Sequence, residues 1–248
     1  MNGSVDRRLR FSVIIPAWND AENLDALLPE LAKIDADIET TVVNAGQDRQ
    51  RPNNQRWQSL SESETSAANG RVTFLPAPRP NRGEQMNRGA TAASGDVFIF
   101  HHADSQLTAA HFSAIEEALR DPEIIGGAFH RKFDTRHPRL RFLERVARFR
   151  ARHGGTLFGD QSIFIRREVF ARLGGFATIP LMEDVEFSRR LRAAGRLAIV
   201  DPPVQSSARR HLERGAWRAS VQNGLFIALY KLGVSPHRLH RWYYGETA

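Results

Sequence analysis

The chain has 248 residues, 41% of them hydrophobic, which is enough for a domain with a substantial core and excludes disorder as the main state. It contains no cysteine, which excludes a disulfide framework, thiolate metal sites and cysteine nucleophiles, and makes a reducing cytosol the easier home. A formal net charge of +7 attracts anions, whether nucleic acid, anionic lipid or a phosphorylated small molecule. The motifs of common RNA-binding modules and the spacings of helix-turn-helix and zinc-finger proteins are absent, so no nucleic acid partner is expected. The longest strongly apolar run, Leu225 to Tyr230, is far short of the roughly 20 residues that cross a bilayer. The expectation is a soluble cytoplasmic protein, or a peripheral one at the inner face of a membrane.

In chain order, "FSVIIP", "TTVVNAG", "RVTFLPAP" and "DVFIFHHAD" read as strands alternating with helical segments, which predicts βαβ units and a mostly parallel sheet. The first helix follows Asp20, with Leu24, Leu27, Leu28, Leu31 and Ile34 on one stripe and Pro29 predicting a kink or break. From Gln47 to Gly70 the chain is polar, with Trp57 and Leu60 as its only obvious anchors, and reads as a loosely packed excursion. Thr108 can cap a helix in which Phe112, Ile115 and Leu119 recur until Asp121-Pro122 ends it. "IIGGAFHRKF" reads as a strand, Arg139 to His153 as a basic helix, and "QSIFIRREVFARLGGF" as a strand running into a helix closed by Gly174-Gly175. Glu183 to Ala194 is a further helix, "RLAIVDP" a strand, and Trp217 to Leu232 the last helix.

In open parallel sheets ligands bind beyond the carboxyl ends of the strands, where strand order reverses. The candidates are therefore Asn19 and Asp20, Asn44 and Asp48, and His101, His102, Asp104 and Ser105. A hard divalent cation bridging two phosphates needs only one or two protein carboxylates, because phosphate oxygens and water fill its other positions. One aspartate at a strand end meets that need, but Asp104 can equally cap the turn that follows. Likewise Glu183-Asp184 at a helix start can complement the helix dipole, and Gly159-Asp160 can form a turn before a strand.

"FSVIIPAWNDAENL", "GEQMNRGATAASGDVFIFHHADS", "FGDQSIFIRREVFARLGGF" and "LMEDVEFSRRL" resemble, in that order, the motifs of family 2 glycosyltransferases of the GT-A fold. The likeness spans roughly residues 11 to 235 and is nearest to a short bacterial branch with "HAD" before Ser or Thr, "GDQ" and "ED". It implies one GT-A domain over residues 1–248, an α/β fold built as a three-layer α/β/α sandwich around a mostly parallel sheet. Residues 11–105 would form the nucleotide-sugar half, and 106–248 the acceptor-binding and catalytic half.

The resemblance also implies roles. Asp104 stands where the family binds a divalent cation, Mn2+ or Mg2+, and His102 replaces the first acid of that motif, either as a ligand or against the ribose. His211 matches a late histidine that completes some metal sites. Asp184 would be the general base, with Glu183 orienting it or touching the acceptor. Arg82, Arg209 and Arg210 would stabilise the leaving diphosphate. Pro16, Asn19, Glu22, Asn44, Asp48, Gln85 and Asn87 complete the donor side. Gly159, Asp160 and Gln161 match the acceptor-side loop. Where the family usually has an acid followed by glycine after its second strand, this chain has Asn44-Ala45, leaving Asp48 as a candidate to take over the contact.

The implied activity is inverting transfer from a nucleotide-sugar donor to a hydroxyl acceptor. Three rivals stand beside it: a nucleotidyltransferase of similar architecture, whose glycine-rich start is missing from "IIPAWNDAEN", a noncatalytic sugar-nucleotide or membrane-surface binding module, and a metal-dependent hydrolase. The segment from Arg136 to Gly154 carries Leu140, Leu143, Val146 and Ala147 on one side and arginines around the rest. It is either a helix on anionic lipid or a core helix with solvated arginines. With "LFIALYKLGVSPHRLHRWYYG" it leaves a lipid-linked acceptor open, while Trp242, Tyr243 and Tyr244 suit internal packing or a homo-oligomer interface.

Overall fold

Strands formed by the apolar runs and helices formed by the 3.6-residue repeats follow one another in a computed structural model that describes residues 8–45, 71–135, 137–206 and 216–245. The elements are β1 (Phe11–Ala17), α1 (Ala21–Ala32), β2 (Ile38–Asn44), β3 (Arg71–Pro76), α2 (Arg82–Ala92), β4 (Val97–Phe100), β5 (Ser105–Gln106) and α3 (Ala109–Leu119). There follow β6 (Ile124–Phe133), α4 (Pro138–Arg152), a 3-10 turn (Gly159–Gln161), β7 (Ile163–Arg166), α5 (Arg167–Leu173), α6 (Glu183–Ala194), β8 (Arg196–Ser206), α7 (Ala216–Lys231) and α8 (Pro236–Tyr244). Asp48, Trp57, Leu60, Arg209, Arg210 and His211 lie outside the described residues.

The strands form one sheet in the order β3-β2-β1-β4-β7-β6-β8-β5. β1 pairs parallel with β2 and β4, β2 with β3, and β6 with β8. β7 departs from the expected parallel pattern and runs antiparallel to both β4 and β6. Its register sets Ile163 opposite Phe100, so the chain enters β7 beside the carboxyl end of β4 and needs no crossover helix. β6 approaches its neighbours closely at the glycine pair: a Cβ at Gly127 would stand 2.0 Å from the Ala198 carbonyl oxygen.

Alternation along β1 divides the core between the two faces of the sheet. Phe11, Val13 and Ile15 pack with Leu24, Leu27, Leu28 and Leu31 of α1 and Phe112, Ile115 and Leu119 of α3. Ile14 points the other way, into a cluster with Met86 and Ala90 of α2, Phe170 of α5 and Phe187 of α6. The aromatic centre of that second layer joins Phe98, Phe100, Phe170, Phe176 and Phe187, with Phe176 and Phe187 ring centroids 4.1 Å apart. Helices therefore cover both faces, as the three-layer expectation requires.

Pro29 does not break α1, which runs on to Ala32. It sits on the exposed side of the last turn, where little helix remains to be propagated beyond the missing N–H. Thr108 caps α3 through a reciprocal box with His111, and Gly174 closes α5 in the left-handed region at φ 72°. α8 has no counterpart in the expectations above. Ser235 caps it, accepting from Arg238 N, and Pro236 takes its first turn.

Candidate active site

The carboxyl ends of β1 and β4 define a switch point, since β2 lies on one side of β1 and β4 on the other. The chain is locally strained there. Among the described residues, the non-glycine positions with positive φ are Asn19 at 57°, Ser162 at 48° and Met182 at 71°. They follow β1, end the GDQ turn and directly precede Glu183-Asp184. Each therefore re-aims a loop that carries expected site residues, a strain that persists only where surrounding contacts hold it.

The two histidines after β4 have different surroundings. His101 is fully buried. Its Nε2 lies 3.1 Å from the Ser105 carbonyl oxygen, which can only accept, so Nδ1 accepts from the Ser162 hydroxyl at 2.7 Å. Burial pushes its pKa down to about 3, so it remains a neutral strut between β4 and β7. His102 faces the cleft: a Cβ built on Gly159 would stand 2.9 Å from His102 Nε2 and 3.8 Å from Asp184 Oδ2. Burial and then the positive field of Arg82 lower its pKa to about 4, against the pull of Asp104, Asp160 and Asp20, leaving a neutral imidazole at neutral pH.

Asp184, in the first turn of α6, is held at both oxygens. Oδ2 accepts from Gly159 N at 3.0 Å and Oδ1 from Val185 N at 2.7 Å. Burial raises its pKa, and those two amides and Arg82 offset only part of the rise. Glu183 is buried beside it, and burial followed by repulsion from Asp184 pushes its carboxyl up to about 7, with Arg82 opposing. The two acids thus hold a proton into the neutral range as a pair. Arg82 reaches solvent at the start of α2 but is hemmed in by the cleft. Crowding lowers its pKa and the fields of Glu183, Asp184, Tyr244 and Asp104 more than restore it. One cation therefore senses the charges of both the "HAD" acid and the "ED" pair.

Other expected residues are placed differently. Gln85 is 2% exposed, and its amide nitrogen donates to the Ala17 and Val43 carbonyls at 2.8 and 2.7 Å, tying the ends of β1 and β2 together rather than facing a donor. Asn87 donates to Phe176 O and accepts from Phe176 N, both at 2.8 Å, and so fixes the loop before α6. Gln161 accepts from Phe158 N and donates to Phe129 O, closing its own turn. These three amides are occupied by backbone, and their expected ligand contacts give way to a positioning role. Pro16 and Asn44 are half-buried at the strand ends, and Asn19 and Glu22 are exposed beside them.

Asp160 forms an ion pair with Arg131 of β6, whose guanidinium also lies 4.3 Å from the Phe133 ring centroid. Arg131 was not among the expected residues, because a strand arginine within "FHRKF" carries no local signal of the turn it reaches. Trp18 is 56% exposed at the end of β1, an indole facing water beside Asn19.

Among the described residues no group of three or more His, Asp or Glu side chains gathers as a metal site. Exposed Asp104 with neighbouring neutral His102 is a sparse donor set. It fits a hard cation that takes most of its ligands from a diphosphate and water.

The model for the family described as glycosyl transferase family 2 matches residues 12–174, well over half of the sequence. The chain belongs to that family. Family membership and fold together make it a glycosyltransferase. A mannosyltransferase from Pyrobaculum calidifontis, PcManGT, solved in complex with GDP-Man and Mn2+, superposes with a TM-score of 0.65 at 21% identity, covering 95% of this chain and 70% of that one. Residues 1–349 of TarS from S. aureus give 0.62 at 14% identity, covering 93% and 68%, and the same fragment with UDP-GlcNAc gives 0.61 at 17%, covering 80% and 58%. At these identities the likeness establishes the GT-A architecture. A comparison with curated proteins finds no match.

Proposed function

We propose that this family 2 glycosyltransferase moves a sugar from a nucleotide-diphosphate donor to a hydroxyl acceptor with inversion at the anomeric carbon, using Asp184 as the general base. The observation that carries this reading is the convergence of Asp184 Oδ2 and His102 Nε2 at Gly159, under the field of Arg82. Asp184 is preorganised: two amides fix the plane of its carboxylate, and each oxygen keeps a second lone pair for an acceptor proton. The acceptor O–H proton passes to Asp184 as its oxygen bonds to the anomeric carbon, and the bond to the donor phosphate breaks with the electron pair leaving on the nucleoside diphosphate. Attack by the acceptor oxygen itself, with Asp184 only taking its proton, is a single displacement and gives inversion.

Arg82 opposes the charge that builds on the diphosphate and keeps the Glu183–Asp184 pair more acidic than burial alone would allow. Asp104 would hold a divalent cation, with His102 beside it as an added ligand or a ribose contact. Such a cation neutralises diphosphate charge and orients it. That PcManGT was solved with GDP-Man and Mn2+, and TarS with UDP-GlcNAc, supports a nucleotide-sugar donor and a metal here. Trp18, exposed beside Asn19, offers a ring on which a nucleobase can stack. A cytoplasmic home, where nucleotide sugars are available, fits the reading.

Thermal unfolding with GDP, UDP and other nucleoside diphosphates, each with and without Mn2+, tests the donor side. At a nucleotide concentration of about 100 Kd, binding raises stability by about 2.7 kcal/mol. The reading expects that gain with metal present and its loss in Asp104→Asn. A protein that no nucleotide stabilises in the presence of metal contradicts it.

A further inference from the structure

We infer that the outward face of α4, with the adjoining face of α7, rests on an anionic lipid surface. α4 has two apolar faces. Leu140 and Ala151 are buried on one side, and Leu143 packs with Leu140 against Phe133. At 100° per residue, Phe142, Val146 and Phe149 fall on the opposite side, and they are 54%, 40% and 64% exposed. Val146, expected on one side of the helix with Leu140, thus belongs to the outer stripe.

Exposed Arg145 and Arg152 flank that stripe on one edge and exposed Arg150 on the other, and the His153 ring stacks on Phe149 at 4.1 Å. Arg148 and Arg152 turn to Asp201 of β8, and the helix's one acid, Glu144, is engaged by Arg141 and the Phe133 amide. α7 touches α4 and carries exposed Val221 and Leu225, at 65% and 54% exposure, and Leu232 just beyond its end is 81% exposed.

A core helix with solvated arginines would show charge, not phenylalanine, on its outer face. The pattern suits a bilayer interface, where aromatic and aliphatic side chains enter the headgroup–acyl boundary and arginines reach phosphates. Among the described residues no helix is long and apolar enough to cross a membrane. A second copy is the poorer occupant, because a two-fold interface on this stripe sets arginine edges against arginine edges.

The inference goes beyond the transfer reading, and its test needs neither donor nor turnover, so the two fail separately. The full chain is floated with phosphatidylcholine vesicles with or without phosphatidylglycerol. Binding is expected to the anionic vesicles only and to weaken with added salt. Val146→Gln with Phe149→Gln should weaken it at least about tenfold. Arg145→Gln with Arg150→Gln should cost roughly fivefold per arginine. Thermal unfolding should be unchanged, because all four positions are exposed. No flotation with anionic vesicles, or full flotation of both double variants, overturns the inference. So does a dimer in solution that Phe149→Gln converts to monomer, which would show a second copy covering the face.

Discussion

His102 Nε2 and Asp184 Oδ2, from distant parts of the chain, meet at the Cβ position of Gly159, 2.9 and 3.8 Å from it. Glycine leaves room there for both side chains, and its amide holds the carboxylate. Gly159→Ala sets a methyl against the end of the His102 ring, a side chain that can swing aside. Thermal stability should fall by less than about 1.5 kcal/mol. Glycosyl transfer should drop about 100-fold, because the proposed base and its neighbour on the donor side are displaced. Parallel unfolding and steady-state assays check the split.

Glu183 should make folding stability fall as pH rises. Its folded carboxyl titrates at about 7 against an ordinary 4.5, so the folded state binds the proton more tightly than the unfolded one. The contribution is complete below about 4.5 and is lost as pH climbs to about 7. Denaturant titrations across that window should show the slope, and Glu183→Gln should flatten it.

Arg82 holds both carboxyl groups of the pair down. Arg82→Met should therefore shift the acid limb of the transfer rate toward higher pH, beyond any loss of donor affinity. A pH profile of kcat/KM reads this, and an unshifted limb would place Arg82 outside the pair's field.

The opposite pH sign belongs to Glu39, at the amino end of β2. Burial raises its pKa, but hydrogen bonds from the Ser12 and Ser94 hydroxyls and the Ser94 amide, with the charge of Arg10, leave it lowered. Its stabilisation is present at neutral pH and is lost as pH falls through its depressed pKa. Glu39→Gln should cost about 2 kcal/mol at neutral pH in urea unfolding and leave transfer intact.

Gln85 supplies a further stability test inside a motif that reads as a ligand site. Gln85→Ala leaves the Ala17 and Val43 carbonyls without that donor, and should destabilise the fold by about 2 to 4 kcal/mol as measured by denaturant midpoint.

The strands were legible because parallel strands buried on both faces read as continuous apolar runs, as "VFIF" does. The direction of β7 was not, since its apolar run reads the same either way and the pairing with β4 and β6 that fixes it is tertiary. "HAD" and "ED" stand out in the sequence as candidates because they are acids at element ends. Whether a polar side chain there meets ligand or backbone is a matter of aim, which sequence does not encode locally, and Gln85, Asn87 and Gln161 turned to the backbone. The two-faced character of α4 escaped for a similar reason: its apolar residues fit one helical stripe loosely, and only burial separates Leu140 from Phe149.

Asp184→Asn tests the central claim most directly. The variant keeps one acceptor oxygen and the shape of the side chain but cannot take a proton. Glycosyl transfer should fall by about two to four orders of magnitude, while nucleoside diphosphate binding in the presence of Mn2+, measured by calorimetry, stays within a few-fold of the parent. Retained transfer would remove Asp184 as the base.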